Sequence, residues 1–461
     1  MSTDASTQPN PLTRVLVANR GEIAVRVVRA CHDLGIEAVA VHSAPDAGAM
    51  HVRSADAAAA IGGPQAKESY LRIDRVVAAA LEQGCQAVHP GYGFLAENPE
   101  LPKACAEAGL VFVGPSAEVM EAVGNKVRAR EIAEQASVPV IPGSGNLSSV
   151  DEAAAFAGRV GYPVMLKAAA GGGGRGIRRA DDEAALRTSL PEAVREAEAA
   201  FGDGSVFLEK CVIDPRHVEV QIVADGHGNV VHLGERECSL QRRRQKLVEE
   251  SPAPGLAPQV RDELCAAAVR IAKQVGYTGA GTVEFLVDPR SGEFYFIEVN
   301  ARIQVEHGVS ELVTGVDIIG EQLRVAAGLP LSLTQDDVTF RGAAIELRIN
   351  AENPRKNFFP SPGQVTRLRW PDGPGVRVDT GLEEGDRIQP YYDSMIAKVL
   401  VTGRTRAEAV ARARRALREL TVEGVHTTAG LQQSILDWDA FVDGAFHTGS
   451  LDPFIAAWAA P

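Results

Sequence analysis

Apolar and polar positions fall into blocks that spell out the first elements of this chain. Arg14-Val-Leu-Val is an apolar run feeding a turn at Asn19-Arg20-Gly21. Apolar residues then recur at helical spacing, stop at Gly35, and give way to Ile36-Glu-Ala-Val-Ala-Val-His. Strand, tight turn, helix, glycine stop and strand predict a βαβ unit that opens a doubly wound domain. A second glycine-rich turn, His89-Pro-Gly-Tyr-Gly-Phe-Leu-Ala-Glu-Asn-Pro99, follows the short strand Ala87-Val88. In an open α/β sheet such a loop emerges at the carboxyl edge, where ligands bind. The first turn lacks the GxGxxG spacing of a dinucleotide site.

A Pro/Gly-rich break at Pro139 to Gly145 predicts a boundary. Beyond it the pattern reads as a strand near Val164 to Lys167, four consecutive glycines ending in Arg175-Gly176, a helix from about Asp181 to Ala200, and a strand at Val206 to Lys210. Roughly seventy residues built around one flexible loop suit a mobile lid. The rest predicts a large mixed domain ending in an Arg/Ala-rich amphipathic helix, Ala407 to Leu420. The expected division is a disordered tail over 1–11, an N-terminal α/β domain over 12–112, a linker over 113–139, the lid over 140–211 and the large C-terminal domain over 212–461. The fold class is α/β combined with α+β.

Within the last domain, two strand-like runs flank Asp288-Pro-Arg-Ser-Gly292 and predict a β-hairpin. Centred near Ser291, it sets Glu284 opposite Glu298 on one face. Two carboxylates so placed repel each other across the ladder. A hard divalent cation reverses that sign, because Mg²⁺ prefers oxygen ligands and commonly takes one or two carboxylates plus phosphates. Asn300 shares the face through the two-residue period. The alternative, two solvated carboxylates on an exposed hairpin, is weighed against by Phe285, Leu286, Phe294, Phe296 and Ile297, which predict a sheet covered on at least one side. Arg302, Gln304 and Glu306 continue the same parity.

Bulk properties narrow the function. A chain of 461 residues with 45% hydrophobic content can bury a large core. No apolar run approaches the ~20 residues a bilayer span needs, and the polar first residues carry no targeting pattern, so a cytoplasmic protein without membrane attachment is expected. A formal charge of −13 argues against nucleic-acid binding. Cys31, Cys85, Cys105, Cys211, Cys238 and Cys265 lie at no metal-ligand spacing, and most are expected to be buried thiols. Against the acidic background, Arg236 to Lys246 is a positive island, read by itself as a solvated face. The glycine run gains meaning beside it: each glycine carries an entropy cost, and unencumbered N–H groups cradle phosphate oxygens. Lys126, Lys167, Lys246 and the island arginines then serve as counter-charges to a triphosphate held with a metal at Glu284, Glu298 and Asn300, a phosphoryl-transfer site without a P-loop.

The strings Ala18-Asn-Arg-Gly-Glu-Ile-Ala, His89 to Asn98, Lys167 to Gly176, Arg216-His-Val-Glu-Val-Gln, Gln241-Arg-Arg, Ile303-Gln-Val-Glu-His and Tyr392-Asp-Ser-Met-Ile-Ala-Lys, in this order, resemble the biotin carboxylases of the ATP-grasp superfamily. The resemblance covers about residues 12 to 455. It implies an ATP-grasp architecture and a ligase that carboxylates biotin with ATP and bicarbonate through carboxyphosphate, as the biotin carboxylase component of an acyl-CoA carboxylase. Carried over residue by residue, it assigns ATP to Lys126, Lys167, Gly173, Gly174, Glu209, Lys210, His217, Gln241, Lys246, Glu284 and Glu298. Mg²⁺ or Mn²⁺ falls to Glu284, Glu298 and Asn300, and bicarbonate to Lys246, Arg302, Gln304 and Val305. Glu306 is implied as general base, with Arg302 and Arg348 as its catalytic companions. Arg348 and Tyr92 take the biotin side. A biotin carrier protein or domain, a carboxyltransferase component and a homodimer are implied partners.

Four positions depart from the family strings: Arg244 for a usual His, Ala301 for Thr, Gly308 for Pro, and His426-Thr-Thr-Ala429 for a Thr-Asn-Ile form. Arg244 is expected either to strengthen phosphate binding or to block the ribose pocket, and Gly308 to loosen the turn behind Glu306. No Ala-Met-Lys-Met biotinylation motif occurs, so the biotin is expected on a separate chain, or this chain is a piece of a longer one. Another ATP-grasp carboxylate–amine ligase and a nucleotide-binding paralogue without turnover remain the competing readings.

Overall fold

A computed structural model describes residues 12–145, 147, 149–168, 177–201 and 204–459. The tail over 1–11 and the glycine loop, including Gly173 and Gly174, lie outside the described residues. The chain divides into two compact units, the smaller comprising 139–215 and 288–291.

In the larger unit, strands β1 (Arg14–Val17), β2 (Glu37–Ser43), β3 (Ala57–Gly62), β4 (Ala87–His89) and β5 (Val111–Phe112) form a parallel sheet in the order β3-β2-β1-β4-β5. The expected βαβ unit is present, its helix α1 spanning Gly21–Asp33. Val15, Leu16, Val17, Val27, Val39 and Val41 are fully enclosed, as parallel strands covered on both faces require. Order reverses at β1/β4, and the loops after those two strands carry Arg20 and Tyr92.

The smaller unit holds β6 (Val164–Ala168), β7 (Ile177–Ala180) and β8 (Val206–Lys210) in the order β7-β6-β8, with helices Val150–Val160 and Glu183–Phe201. Its core is Ala153, Ala157, Val164, Leu166, Leu186 and Leu208 with their neighbours.

An eight-stranded antiparallel sheet dominates the larger unit. Its strands are β9 (Arg216–Ala224), β10 (Val230–Arg242), β11 (Gln245–Ser251), β12 (Gly279–Val287), β13 (Phe294–Asn300), β14 (Ala343–Asn350), β15 (Val376–Thr380) and β16 (Met395–Gly403), ordered β13-β12-β9-β10-β11-β14-β16-β15. Leu347, Ile349, Ala397, Val399 and Val401 join Ala409, Ala413 and Ala416 of helix Arg406–Glu419 in one core. On β14 and β16 the alternate positions face the opposite way, where Glu346 and Lys398 are buried and Arg348 is mostly enclosed, beneath helix α2 (His307–Thr314) among others. Period-two alternation ordinarily sends the polar set to water. Here both faces are covered, and the polar face becomes a buried site. Among the described residues no helix is long and apolar enough to cross a membrane.

Candidate active site

In the hairpin the expected pair is present, Glu284 opposite Glu298 and Thr282 opposite Asn300, although nearer the turn Phe285 faces Phe296, so an extra residue, Ile297, separates the two registers. Its two carboxylates have unequal surroundings. Glu284 is buried and densely bonded, accepting from His217 Nε2 (2.8 Å), Asn300 Nδ2 (2.9 Å), Gln304 Nε2 (3.2 Å) and Lys246 Nζ (3.2 Å). Burial pushes its pKa up, but Lys246 and His217 overcome this and hold it far below the carboxylate range. Glu298 is exposed, and its pKa is raised by partial burial and by the facing Glu284. Ile297, expected under cover, is 37% exposed; it is the extra residue of β13 where the register shifts between Phe285 and Glu284.

The opposed carboxylates and the Asn300 amide form an all-oxygen donor set, and Glu298 carries a like-charge penalty that a divalent cation would remove. These residues therefore fit the Mg²⁺ or Mn²⁺ assigned to them. Two other acidic clusters, His217-Glu219-Glu284 and Glu219-Cys238-Glu306, enclose the Lys246 ammonium instead.

Strand parity does not carry Arg302, Gln304 and Glu306. β13 ends at Asn300, and Glu306 is the N-cap residue of α2. A turn gathers the set: Arg302 donates to Gln304 Oε1 (2.8 Å) and Asn300 Oδ1 (3.1 Å) and ion-pairs with Glu97 (3.2 Å), a partner not foreseen. Glu306 is fully buried between Lys246 Nζ (2.5 Å) and Arg348 Nη2 (2.8 Å), with Cys238 Sγ at 4.0 Å. Burial raises its pKa, yet Lys246, Arg348 and Arg236 together bring it well below the usual value. Lys246 also reaches Glu219 (2.6 Å) and so bridges three carboxylates. Arg348 pairs with Glu249 (2.6 Å), whose pKa burial lifts to about 7.

The positive island proves to be mostly internal. Arg236 is completely buried and donates to Glu219 (2.6 Å), Gln221 (2.6 Å), Ser310 (3.0 Å) and Thr282 (3.0 Å), so it locks β9, β10, β12 and α2 together and is no phosphate counter-charge. Arg242 stacks on Phe358 at 4.0 Å and bonds Asn357. Arg243 and Arg244 are exposed in the two-residue β10–β11 turn, both at positive φ (48° and 68°), where type I′ hairpins ordinarily use Asn or Gly. Gly308 does not loosen a turn. It lies inside α2, and a Cβ there would run into Leu400, which fills the space a larger residue would take.

Of the remaining assigned residues, Gln241 sits across from Lys246 with its amide 3.4 Å from His217 Nδ1. Lys126 is exposed at the start of helix Lys126–Gln135. Tyr92 donates its hydroxyl to buried Glu22. Val305 sits in the turn between Gln304 and Glu306, its carbonyl accepting from Lys398 (2.8 Å). In the smaller unit, Lys167 on β6 ion-pairs with Glu209 on β8, with Lys210 following. Residues missed from sequence are Glu22, Glu97, Glu219, Glu249, Glu346 and Lys398. The alternation His217-Val-Glu219-Val-Gln221 was the available signal for Glu219.

A doubly wound sheet, a small three-stranded unit and a broad antiparallel sheet with clustered acids and cations are the parts of an ATP-grasp enzyme. Three family descriptions match in succession: "Biotin carboxylase, N-terminal domain" over 11–120, "Carbamoyl-phosphate synthase L chain, ATP binding domain" over 125–334, and "Biotin carboxylase C-terminal domain" over 346–453. Biotin carboxylase 1 of Bacillus subtilis is 52% identical over 444 residues, 96% of this chain and 99% of that protein. The biotin carboxylase of Pseudomonas aeruginosa is 51% identical over 443 residues, covering 96% and 98%. The biotin carboxylase domain dimer of Hydrogenobacter thermophilus 2-oxoglutarate carboxylase, in complex with MgADP, ADP and bicarbonate, superposes with a TM-score of 0.87 at 48% identity, covering 97% of this chain and 99% of that one. The chain belongs to the biotin carboxylase family.

Proposed function

We propose that this protein carboxylates biotin carried on a separate protein, using ATP and bicarbonate, and that Glu306 is the base. The observation that carries the reading is the Glu306 carboxylate, buried and held ionised by Lys246 and Arg348, beside the donors of the 302–305 turn. An anion entering there meets Arg302, Gln304 and Lys246, and its charge competes with Glu306 for Lys246. As Lys246 turns toward the incoming oxyanion, the Glu306 carboxylate loses one of the cations that depress its basicity and takes the bicarbonate proton. Bicarbonate then attacks the γ-phosphate, giving ADP and carboxyphosphate, which releases CO₂ and phosphate. That phosphate accepts the ureido proton of biotin, and Arg348 stabilises the enolate that captures CO₂.

Glu284, Glu298 and Asn300 would hold a Mg²⁺ or Mn²⁺ ion, which supplies charge neutralisation for the phosphates. His217 and Gln241 belong to the nucleotide, as do Lys126 and, in the smaller unit, Lys167, Gly173, Gly174, Glu209 and Lys210. Tyr92 lines the biotin side. The working assembly is a cytosolic homodimer served by a biotin carrier and a carboxyltransferase, as part of an acyl-CoA carboxylase.

ADP release, measured with and without bicarbonate and free biotin, tests the reading. Release that needs bicarbonate and rises with biotin supports it. Release driven by a carboxylate and an amine in place of bicarbonate would indicate another ATP-grasp ligase, and nucleotide binding without turnover a paralogue that has lost the reaction.

A further inference from the structure

The motif Tyr392-Asp-Ser-Met-Ile-Ala-Lys398 ends on a lysine that the reaction steps above do not use. Lys398 lies in mid-strand on β16, between Arg348 of β14 and Asp379 of β15 in register, and its side chain is completely buried. Its ammonium donates to the Val305 carbonyl at 2.8 Å and ion-pairs with Glu22 at 3.3 Å and Asp379 at 3.8 Å. Glu346 on β14 also faces it, while Arg377 and His307 add cationic and polar neighbours. Asp379 is already taken by Arg377, bidentate at 2.9 and 2.7 Å, so of the two acids ion-paired with Lys398, Glu22 is the one with no second cation among the described residues.

Glu22 belongs to the first turn of α1, and a close approach of backbones brings it here. A Cβ on Gly381, just past β15, would sit 2.7 Å from the Gly21 carbonyl carbon, so only glycine lets α1 dock at this depth. Glu22 in turn accepts the Tyr92 hydroxyl. One ammonium thus joins two parts of the site: the turn bearing Arg302, Gln304 and Glu306, and the loop bearing Tyr92. An isolated buried lysine is costly, and the ion pairs with Glu22 and Asp379 offset the burial that would otherwise discharge it.

We propose that Lys398 is a positioning residue for carboxyl transfer: by bonding the Val305 carbonyl and pairing with Glu22, it fixes the base-bearing turn relative to the Tyr92 side. This rests on the reading of Glu306 as base. Displacing a catalytic group by about 1 Å can lower turnover about 100-fold while leaving distant contacts intact.

The test compares wild type, Lys398→Met and Glu22→Gln for the KM of ATP, the KM of bicarbonate and kcat with free biotin, with melting curves to confirm folding. Lys398→Met is expected to lower kcat by ~10–100-fold and raise the bicarbonate KM, with the ATP KM within about twofold of wild type. Glu22→Gln keeps the Val305 bond, so a smaller fall in kcat is expected at the same ATP KM; it carries the test if Lys398→Met does not fold. Wild-type kcat in a folded Lys398→Met, or equal losses in the ATP and bicarbonate KM, would overturn the proposal. Wild type that releases no ADP in response to bicarbonate would overturn the functional reading itself, a result visible before any variant is made.

Discussion

Glu306→Gln removes one negative charge and almost no volume. In the folded protein its two oxygens accept from Lys246 at 2.5 Å and Arg348 at 2.8 Å. Hydrogen bonds to charged groups contribute about 1.5–3 kcal/mol each, and the amide oxygen can keep one of the two. Neither cation is stranded, since Lys246 retains Glu219 (2.6 Å) and Glu284 (3.2 Å), and Arg348 retains Glu249 (2.6 Å). The expected loss of stability is therefore about 2 kcal/mol, below the ~3–5 kcal/mol of a buried pair broken outright. Turnover responds far more strongly, because an amide cannot take the bicarbonate proton, and general-base loss lowers rates by about 10²–10⁴. Coupled ADP detection under saturating ATP and bicarbonate measures this directly, alongside nucleotide affinity, which should hold. A folded Gln variant within about threefold of wild-type turnover would refute the assignment of Glu306 as base.

Three further outcomes follow from the same cluster. Glu249 has its pKa raised by burial from 4.5 to about 7; between those values the unfolded chain has lost a proton that the folded one keeps, so stability falls as pH rises through this window, by about 1.4 kcal/mol per unit. Urea melts of Glu249→Gln across pH 4.5–7 should show that slope flattened, and an unchanged slope would remove Glu249 from the account. Gly308→Pro should destabilise by about 1–3 kcal/mol through collision with Leu400, and Leu400→Val should recover part of it; additive losses would deny the contact. Arg244→Gly relieves a left-handed non-glycine turn residue and should stabilise by up to about 1 kcal/mol, whereas Arg244→His should alter the apparent affinity for ATP more than for bicarbonate; equal effects on both would place Arg244 away from the nucleotide.

The hairpin is readable because its turn residues and period-two alternation are local, but the Glu284–Glu298 pair also depends on a one-residue shift at Ile297, since the register next to the turn would set Glu284 opposite Ile297. The βαβ opening is readable for the same reason, its glycine stop and helical period being local. Alternation, however, says which side chains share a face and not what covers that face. Glu219 and Glu346 alternate with valine, isoleucine and leucine just as solvent-facing residues would, yet both are buried, Glu346 beneath helix α2. Extending the strand beyond Asn300 fails because Glu306 belongs to a helix cap, and only the turn between them brings it to Lys246. Arg236 stands in a run of charges whose ordinary meaning is a wetted surface; its partners come from strands 15 and 46 residues away and from a helix 74 residues away. Lys398, alone in an apolar strand, gives the opposite signal, since nothing local offsets the cost of burying an ammonium there.

Transfer of label from carbon-14 bicarbonate to free biotin, trapped as the acid-labile carboxylated product, reads the carboxylation of biotin itself. Label is expected to require ATP and a divalent ion together and to disappear with Glu306→Gln. ADP formed at full rate with no label reaching biotin, or label that survives the loss of the Glu306 carboxylate, would contradict it.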